Sequence, residues 1–110
     1  MSGKPAQCDV SILTVGFNSR AFLADAFSSI AAASQRHSFE IRFVDNGQDG
    51  SEALVRDLFP AASIMPSRGN IGFAAANNYL AREAAGEWLL LLNPDTRLFP
   101  HAVDILLEAA

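Results

Sequence analysis

Residues Trp88-Leu89-Leu90-Leu91-Leu92 form an apolar run that stops abruptly at Asn93-Pro94-Asp95-Thr96. Such a run does not alternate, so it reads as a parallel strand covered on both faces rather than a half-solvated antiparallel one. Parallel neighbours require crossover connections, usually helices. The rest of the chain supplies them. Residues 10–17 are short, apolar and β-branched, which predicts a first strand. Asn18 and Ser19 are candidate caps for a helix with Phe22, Leu23, Ala26, Phe27 and Ile30 on one face. Residues 39–44 predict a second strand ending at Asp45-Asn46, with Phe39, Ile41 and Phe43 on one side. Ser51 then caps a helix carrying Ala53, Leu54 and Leu58, which stops near Pro60. Residues 62–65, bounded by Pro60 and Pro66, predict a short edge strand. An alanine-rich helix runs from Phe73 to about residue 85, with Gly86 as its C′ residue. Residues 87–92 are the fourth strand, and Pro100 opens a last helix.

This alternation predicts an α/β chain: a Rossmann-like three-layer sandwich whose mostly parallel sheet has the order 3-2-1-4. That order puts the fourth strand at an edge, in tension with its doubly apolar character. An apolar edge invites pairing with more polypeptide. Either further strands continue the sheet, so that these residues are part of a larger domain, or two copies form a homodimer through that edge. The sequence favours the first.

At 110 residues the chain is one domain at most, and half of its residues are hydrophobic against 18% charged, a globular composition. A net charge of −4 excludes a broad basic face for nucleic acid. Cys8 is the sole cysteine, so no internal disulfide forms, and a reducing compartment is expected. No apolar run approaches the roughly 18 residues of a membrane span. Nor does the N-terminus carry the apolar core of a signal peptide. The expected location is cytoplasmic, with residues 1–8 as a loose leader.

In a 3-2-1-4 sheet the topology switches between strands one and four, and ligands bind at such a switch, outside the carboxyl ends of the strands. Three strand ends meet there: Gly16-Phe17-Asn18, Asp45-Asn46 and Asn93-Pro94-Asp95-Thr96. Phe17 is suited to packing on a base or ribose, and Asp45 or Asn46 to hydrogen-bonding one. Asp95 is suited to a magnesium or manganese ion, which takes one or two carboxylates and completes its shell with water and phosphate oxygens. Each residue also has a plainer reading. Asn93-Pro94 starts turns, Asp95 or Thr96 can satisfy backbone N–H groups before the last helix, Asp45-Asn46 can form an Asx turn, and Phe17 can be core. In Arg68-Gly69-Asn70-Ile71-Gly72-Phe73 the glycines permit close backbone approach and Arg68 can meet a phosphate. The alternative is a packing device, in which Asn77 and Asn78 on the following helix require partners of their own. His37 and His101 are expected to be solvated, Cys8 is not placed as a nucleophile, and no Ser/His/Asp set assembles.

Taken together, residues 11–19, Val44-Asp45-Asn46 with Asp49-Gly50-Ser51, residues 70–78 and residues 90–96 closely resemble the start of family 2 glycosyltransferases. The likeness is strongest to their rhamnosyltransferase-like branch and spans about residues 9–110. The resemblance implies a GT-A fold, a nucleotide-diphosphate-sugar donor, a glycan or similar acceptor hydroxyl, and transfer with inversion at the anomeric carbon. By matched positions, Val15 and Phe17 lie beside the nucleoside, and Asp45 and Asn46 contact base or ribose. Asp95 is the last aspartate of the family's DXD-type motif, the metal ligand, while Asn93 takes the motif's first position. The 45–51 loop is one residue shorter than the common version. Members of the family normally continue for a hundred or more residues that hold the acceptor site and the general base. Residues 9–110 are therefore expected to be the nucleotide-sugar-binding half, with the base downstream of Ala110. Two rivals remain: a non-catalytic nucleotide-binding or assembly module of the same fold, and a nucleotidyltransferase. The second wants a glycine- and lysine/arginine-rich loop after strand one, where only Gly16 and Arg20 stand.

Overall fold

The computed structural model describes residues 5–110. Its elements are β1 (Cys8–Gly16), α1 (Arg20–Ala33), β2 (Phe39–Asp45), α2 (Ser51–Leu58), β3 (Ser63–Ile64), α3 (Phe73–Arg82), β4 (Gly86–Leu91) and α4 (Ala102–Ala109). The sheet has four strands in the order β3-β2-β1-β4, and every pair is parallel. This is the α/β three-layer arrangement and strand order expected from the sequence. Of the leader expected over residues 1–8, residues 1–4 lie outside the described residues. Gln7 donates its N–H to the Ala85 carbonyl at 2.8 Å, and β1 begins at Cys8.

The two faces of β1 explain the layers. Val10 and Ile12 point into one core with Leu23, Phe27 and Ile30 of α1, Val55 of α2 and Val103 of α4. Leu13 and Val15 point the other way, against Val44 and against Ala76, Tyr79 and Leu80 of α3. Burying a side chain of this size contributes roughly 1.5–3 kcal/mol. β1, covered on both faces, is therefore the spine of the fold. Phe22 departs from the predicted helix face and is exposed, because α1 turns Leu23, Ala26 and Phe27 inward instead.

β4 behaves differently. Leu90 and Leu92 join the α1/α4 core, but Trp88, Leu89 and Leu91 are 47%, 41% and 51% exposed. The expectation that both faces would be covered is not met among the described residues, since β4 has β1 as its one strand partner and α3 packs over β1 and β2. Several element ends also differ from the sequence reading. Gly86 does not close α3; it opens β4, where a Cβ would lie 2.4 Å from the Ser11 nitrogen, so its bareness lets β4 approach β1. α3 ends earlier, at Arg82. The predicted caps are replaced as well. Ser19 turns its hydroxyl back onto the Phe17 carbonyl at 3.0 Å, and Ser51 is the first residue of α2 with its hydroxyl on Asp49. Asp49 does the capping, accepting N–H bonds from Ser51 at 3.1 Å and Arg20 at 3.0 Å, and so ties the starts of α1 and α2 together. α4 starts two residues after Pro100, because His101 adopts φ 63° in the turn. No helix among the described residues is long and apolar enough to cross a membrane.

Candidate functional site

Strand register brings the three predicted strand ends to one edge. Gly16 pairs with Asp45, the Asn46 N–H continues the ladder to the Gly16 carbonyl at 2.7 Å, and the Leu92 N–H reaches the Leu13 carbonyl at 2.9 Å on the other side. β1 ends in glycine because Phe43 sits close: a Cβ on Gly16 would meet its ring at 2.9 Å. Asn18 then takes φ 53°, turning the chain into α1 and leaving the Phe17 ring 54% exposed beside Gly47. An exposed phenyl ring at a strand end is not core, and it offers an apolar face to a planar ligand. Val15 is different. It is buried beneath the crevice against Val44 and Ala76 and supports the floor rather than lining the surface.

Asp45 and Asn46 are both almost fully buried, at 4% and 5% exposure. Asp45 forms the Asx-type contact that the sequence allows, accepting from the Gly47 N–H at 2.9 Å. Burial pushes its carboxyl above the usual range, and the nearby carboxylates of Asp49 and Glu52 push it further, against the pull of the Gly47 N–H. Asn46 donates from Nδ2 to the Gly72 carbonyl at 3.2 Å, which holds the 69–72 loop against the end of β2. Its Oδ1 is buried with no partner among the described residues. An unpaired buried acceptor costs about 1–3 kcal/mol, so a ligand N–H or O–H at this point would relieve it. A cavity of about 520 Å³ opens beside Asp45, lined by Gly47, Gln48, Glu52, Arg56 and Ser67 among others.

After β4 the chain makes the predicted turn, with the Thr96 N–H on the Asn93 carbonyl at 3.0 Å. Asn93 and Asp95 are both exposed. The turn leaves the Asp95 carboxylate unspent: among the described residues Asp95 makes no side-chain hydrogen bond and no ion pair, and α4 begins well beyond it. One exposed, unspent carboxylate at a strand end fits a magnesium or manganese ion that keeps its waters and takes phosphate oxygens. On the β3–α3 loop, Ser67 donates its hydroxyl to the Asp45 carbonyl, while Arg68 does not line the cavity beside Asp45 and lays its guanidinium over the Tyr79 ring of α3 at 4.0 Å. Neither Ser67 nor Tyr79 stands out in the sequence, since each contact joins residues that no local pattern connects.

The histidines correct the sequence reading. Instead of lying in solvent as expected, His37 and His101 converge on Asp104, at 2.8 Å and 3.0 Å. Asp104 is fully buried and also accepts the Gln35 and Arg36 N–H groups at 2.9 and 3.0 Å. Burial alone would raise its carboxyl. The bonds from His37, His101 and the two N–H groups outweigh that and hold it well below the usual carboxylate range. His37, Asp104 and Glu108 have the spacing of metal ligands. However, Arg36 already clamps Glu108 at 2.9 and 3.0 Å, so the cation of this cluster is a guanidinium. The group sits where β2 begins, away from the crevice. It is a structural clasp.

The model of the glycosyl transferase family 2 matches residues 11–110. The chain belongs to glycosyl transferase family 2. Its sequence is 27% identical over 111 residues to an N-acetylglucosaminyl-diphospho-decaprenol L-rhamnosyltransferase of Mycobacterium tuberculosis, covering 90% of this chain and 36% of that protein. The likeness to the rhamnosyltransferase branch thus stands. Among solved structures, the Pyrobaculum calidifontis mannosyltransferase PcManGT, in complex with GDP-Man and Mn2+, superimposes with a TM-score of 0.80 at 21% identity, covering 97% of this chain and 35% of that one. TarS 1-349 of S. aureus in complex with UDP gives 0.73 at 19% identity, with 92% and 31% covered. At such identities the likeness is one of fold, the GT-A type. The family 2 chain spans about a third of the length of these relatives.

Proposed function

We propose that residues 9–110 form the donor-binding half of an inverting glycosyltransferase that moves a hexosyl group, rhamnosyl first among the candidates, from a nucleoside diphosphate to a glycan hydroxyl. The observation that carries this reading is the unspent Asp95 carboxylate at the end of β4, on the same sheet edge as Phe17, Asp45 and Asn46. In the proposed site Phe17 packs on the nucleoside and Val15 supports it from beneath. Asp45 and the unpartnered Asn46 Oδ1 accept hydrogen bonds from base or ribose, and Asn93 and Arg68 hold polar groups of the nucleotide. Asp95 holds a divalent cation, magnesium or manganese, which stabilises negative charge on the departing nucleoside diphosphate. The general base belongs to polypeptide beyond Ala110, so these 110 residues bind donor without transferring sugar. The exposed apolar edge of β4 is continued by that polypeptide, or by a second copy when it is absent. The proposed location is cytoplasmic, with a peripheral membrane association of the full-length protein as the variant of that reading.

Calorimetric titration with UDP, dTDP and GDP, with and without manganese, tests the donor site. We expect manganese-dependent binding of at least one nucleotide and its loss in Asp95→Ala. Binding that ignores manganese, or survives Asp95→Ala unchanged, removes the metal assignment. If a chain extended past Ala110 binds donor but neither transfers nor hydrolyses it, the non-catalytic module is the better reading.

A further inference from the structure

Asp45 and Asn46 are neighbours in the chain, but the sheet sends them to opposite sides. Successive residues of a strand face opposite ways. Phe43 belongs to the core beneath α1 and α2, and Val44 to the core beneath α3. The ladder to β1 continues through the Asn46 N–H, so Asp45 keeps the side of Phe43 and Asn46 that of Val44. Their contacts agree. Asp45 lines the cavity of about 520 Å³ with Gly47, Gly50 and Glu52, at the start of α2. Asn46 does not line it, and its Nδ2 donates instead to the Gly72 carbonyl at the start of α3. The exposed Phe17 ring also belongs to the Asp45 side, since its Cδ2 lies 3.5 Å from where a Cβ on Gly47 would stand.

We propose that the two residues divide the nucleoside: Asp45 meets the base in its cavity, and Asn46 Oδ1 accepts a hydrogen bond from a hydroxyl of the sugar ring attached to it. The inference rests on the donor-site reading above. Space and chemistry decide which residue takes which part. The cavity and the Phe17 ring lie together and suit a flat base. Asn46 Oδ1 is a single enclosed acceptor without a partner among the described residues. A base edge carries donors and acceptors side by side, so pressing it on one enclosed acceptor would leave a neighbouring group unpaired. A hydroxyl brings one donor and keeps its lone pairs on the outer side. Its approach displaces the loop tethered to the same amide. That loop has room to yield, because Gly69 and Gly72, at φ 75° and 86°, have no atom within 4 Å of a Cβ position.

The test measures manganese-dependent affinity for whichever of UDP, dTDP or GDP binds, and for its analogues lacking the 2′- or the 3′-hydroxyl (for dTDP, the 3′ alone). In wild type, loss of the contacted hydroxyl leaves Oδ1 unpaired again and is expected to weaken binding about fivefold or more. The arm that shows this penalty identifies the hydroxyl. In Asn46→Ala the same loss costs less than about twofold, because no acceptor remains to be stranded. Asn46→Asp keeps an acceptor and gives up the donor to Gly72, so it retains the penalty and separates the sugar contact from the loop tether. Each comparison is a ratio within one protein, so a partly unfolded variant still reports it. Asn46→Leu, of similar size and without an acceptor, serves if the alanine variant fails to fold. Asp45→Asn, whose amide offers a donor beside its acceptor, changes the order of preference among UDP, CDP and GDP and keeps the hydroxyl penalty. A penalty undiminished in Asn46→Ala and Asn46→Leu, or lost in Asp45→Asn, overturns the proposal. So does a change of base preference that follows Asn46 and not Asp45. Manganese-dependent binding that is lost in Asp95→Ala but shows no hydroxyl penalty in wild type overturns this inference alone. No nucleotide binding by wild type overturns the donor site with it.

Discussion

Asp95 and Asp104 stand on the same stretch of chain after β4, and the fold uses them in opposite ways. Asp104 is fully buried, with four donors converging on its two oxygens and its proton affinity driven down. It clasps α4 to the end of α1, beside the His101 N–H that reaches the Ala32 carbonyl at 2.9 Å and the Leu98 N–H on the Ser29 hydroxyl at 3.0 Å. Asp95 is exposed at the end of a turn that makes no demand on its side chain. A carboxylate spent on four protein donors stabilises the fold and has nothing left for a ligand, whereas an unspent one stabilises nothing and is available. The difference separates a structural acid from a candidate binding acid more cleanly than burial or sequence spacing does.

Substitution should split the two. The largest effect is expected for Asp104→Asn, whose amide must point a donor at one of the N–H or imidazole donors around it. Thermal unfolding should show it to be more destabilised than Asp95→Ala, Asp45→Asn or Phe17→Ala, while its folded fraction still binds nucleotide. A melting temperature close to wild type would show that the clasp contributes little.

Next comes Asp95→Ala, with the reverse pattern. Manganese-dependent nucleotide affinity should fall by at least about tenfold, the scale of one charge-assisted contact, while stability stays within about 0.5 kcal/mol. Comparable losses of stability and binding would erase the distinction.

Acid extends the same contrast. The folded-state affinity of Asp104 for protons is depressed, as are those of Glu40, Asp49 and Glu108. Their contribution is therefore present above the ordinary carboxylate range near pH 4 and is lost as pH falls through and below it. Asp45 runs the other way, because its folded value is raised and its charge opposes folding at neutral pH. Denaturant midpoints across pH 3–7 should fall steeply in acid for wild type and less steeply for Asp104→Asn, while Asp45→Asn should be no less stable than wild type at pH 7 yet bind nucleotide more weakly. An Asp45→Asn protein that is clearly less stable at pH 7 contradicts the sign. The smallest effect is expected for Phe17→Ala: loss of one stacked ring costs about 1 kcal/mol, roughly fivefold in nucleotide affinity, with little change in melting temperature.

Much of the crevice is legible in the sequence because it follows from periodicity and topology. Short apolar runs alternating with helical faces yield a parallel sheet, and a parallel sheet with this order brings Phe17, Asp45-Asn46 and Asp95 to one edge whatever the details of packing. The turn at Asn93-Pro94 is legible too, from the chemistry of those residues. What escapes depends on contacts between distant parts of the chain. His37 and His101 meet only because α4 folds back on α1, and nothing near either one signals a shared carboxylate. Gly86 reads as a helix stop by local rules, but it is bare because Ser11 of the neighbouring strand lies against it. Local rules assign the cap of α2 to Ser51, yet the work falls to Asp49, which also serves α1. β4 reads as interior from its composition, and its exposed Trp88, Leu89 and Leu91 show that composition reports the surroundings a strand is suited to, which these residues do not supply.

In the proposed site the cation and the diphosphate meet at Asp95 and not at the histidine clasp. Paramagnetic broadening of backbone amide resonances by manganese with a bound nucleoside diphosphate reads this directly. Broadening should centre on Asn93, Asp95 and Thr96 and extend to Phe17 and Asn46, with the amides of His37, Asp104 and Glu108 spared. Broadening centred on His37, Asp104 and Glu108, with the end of β4 unaffected, would place the cation at the clasp and refute the donor site.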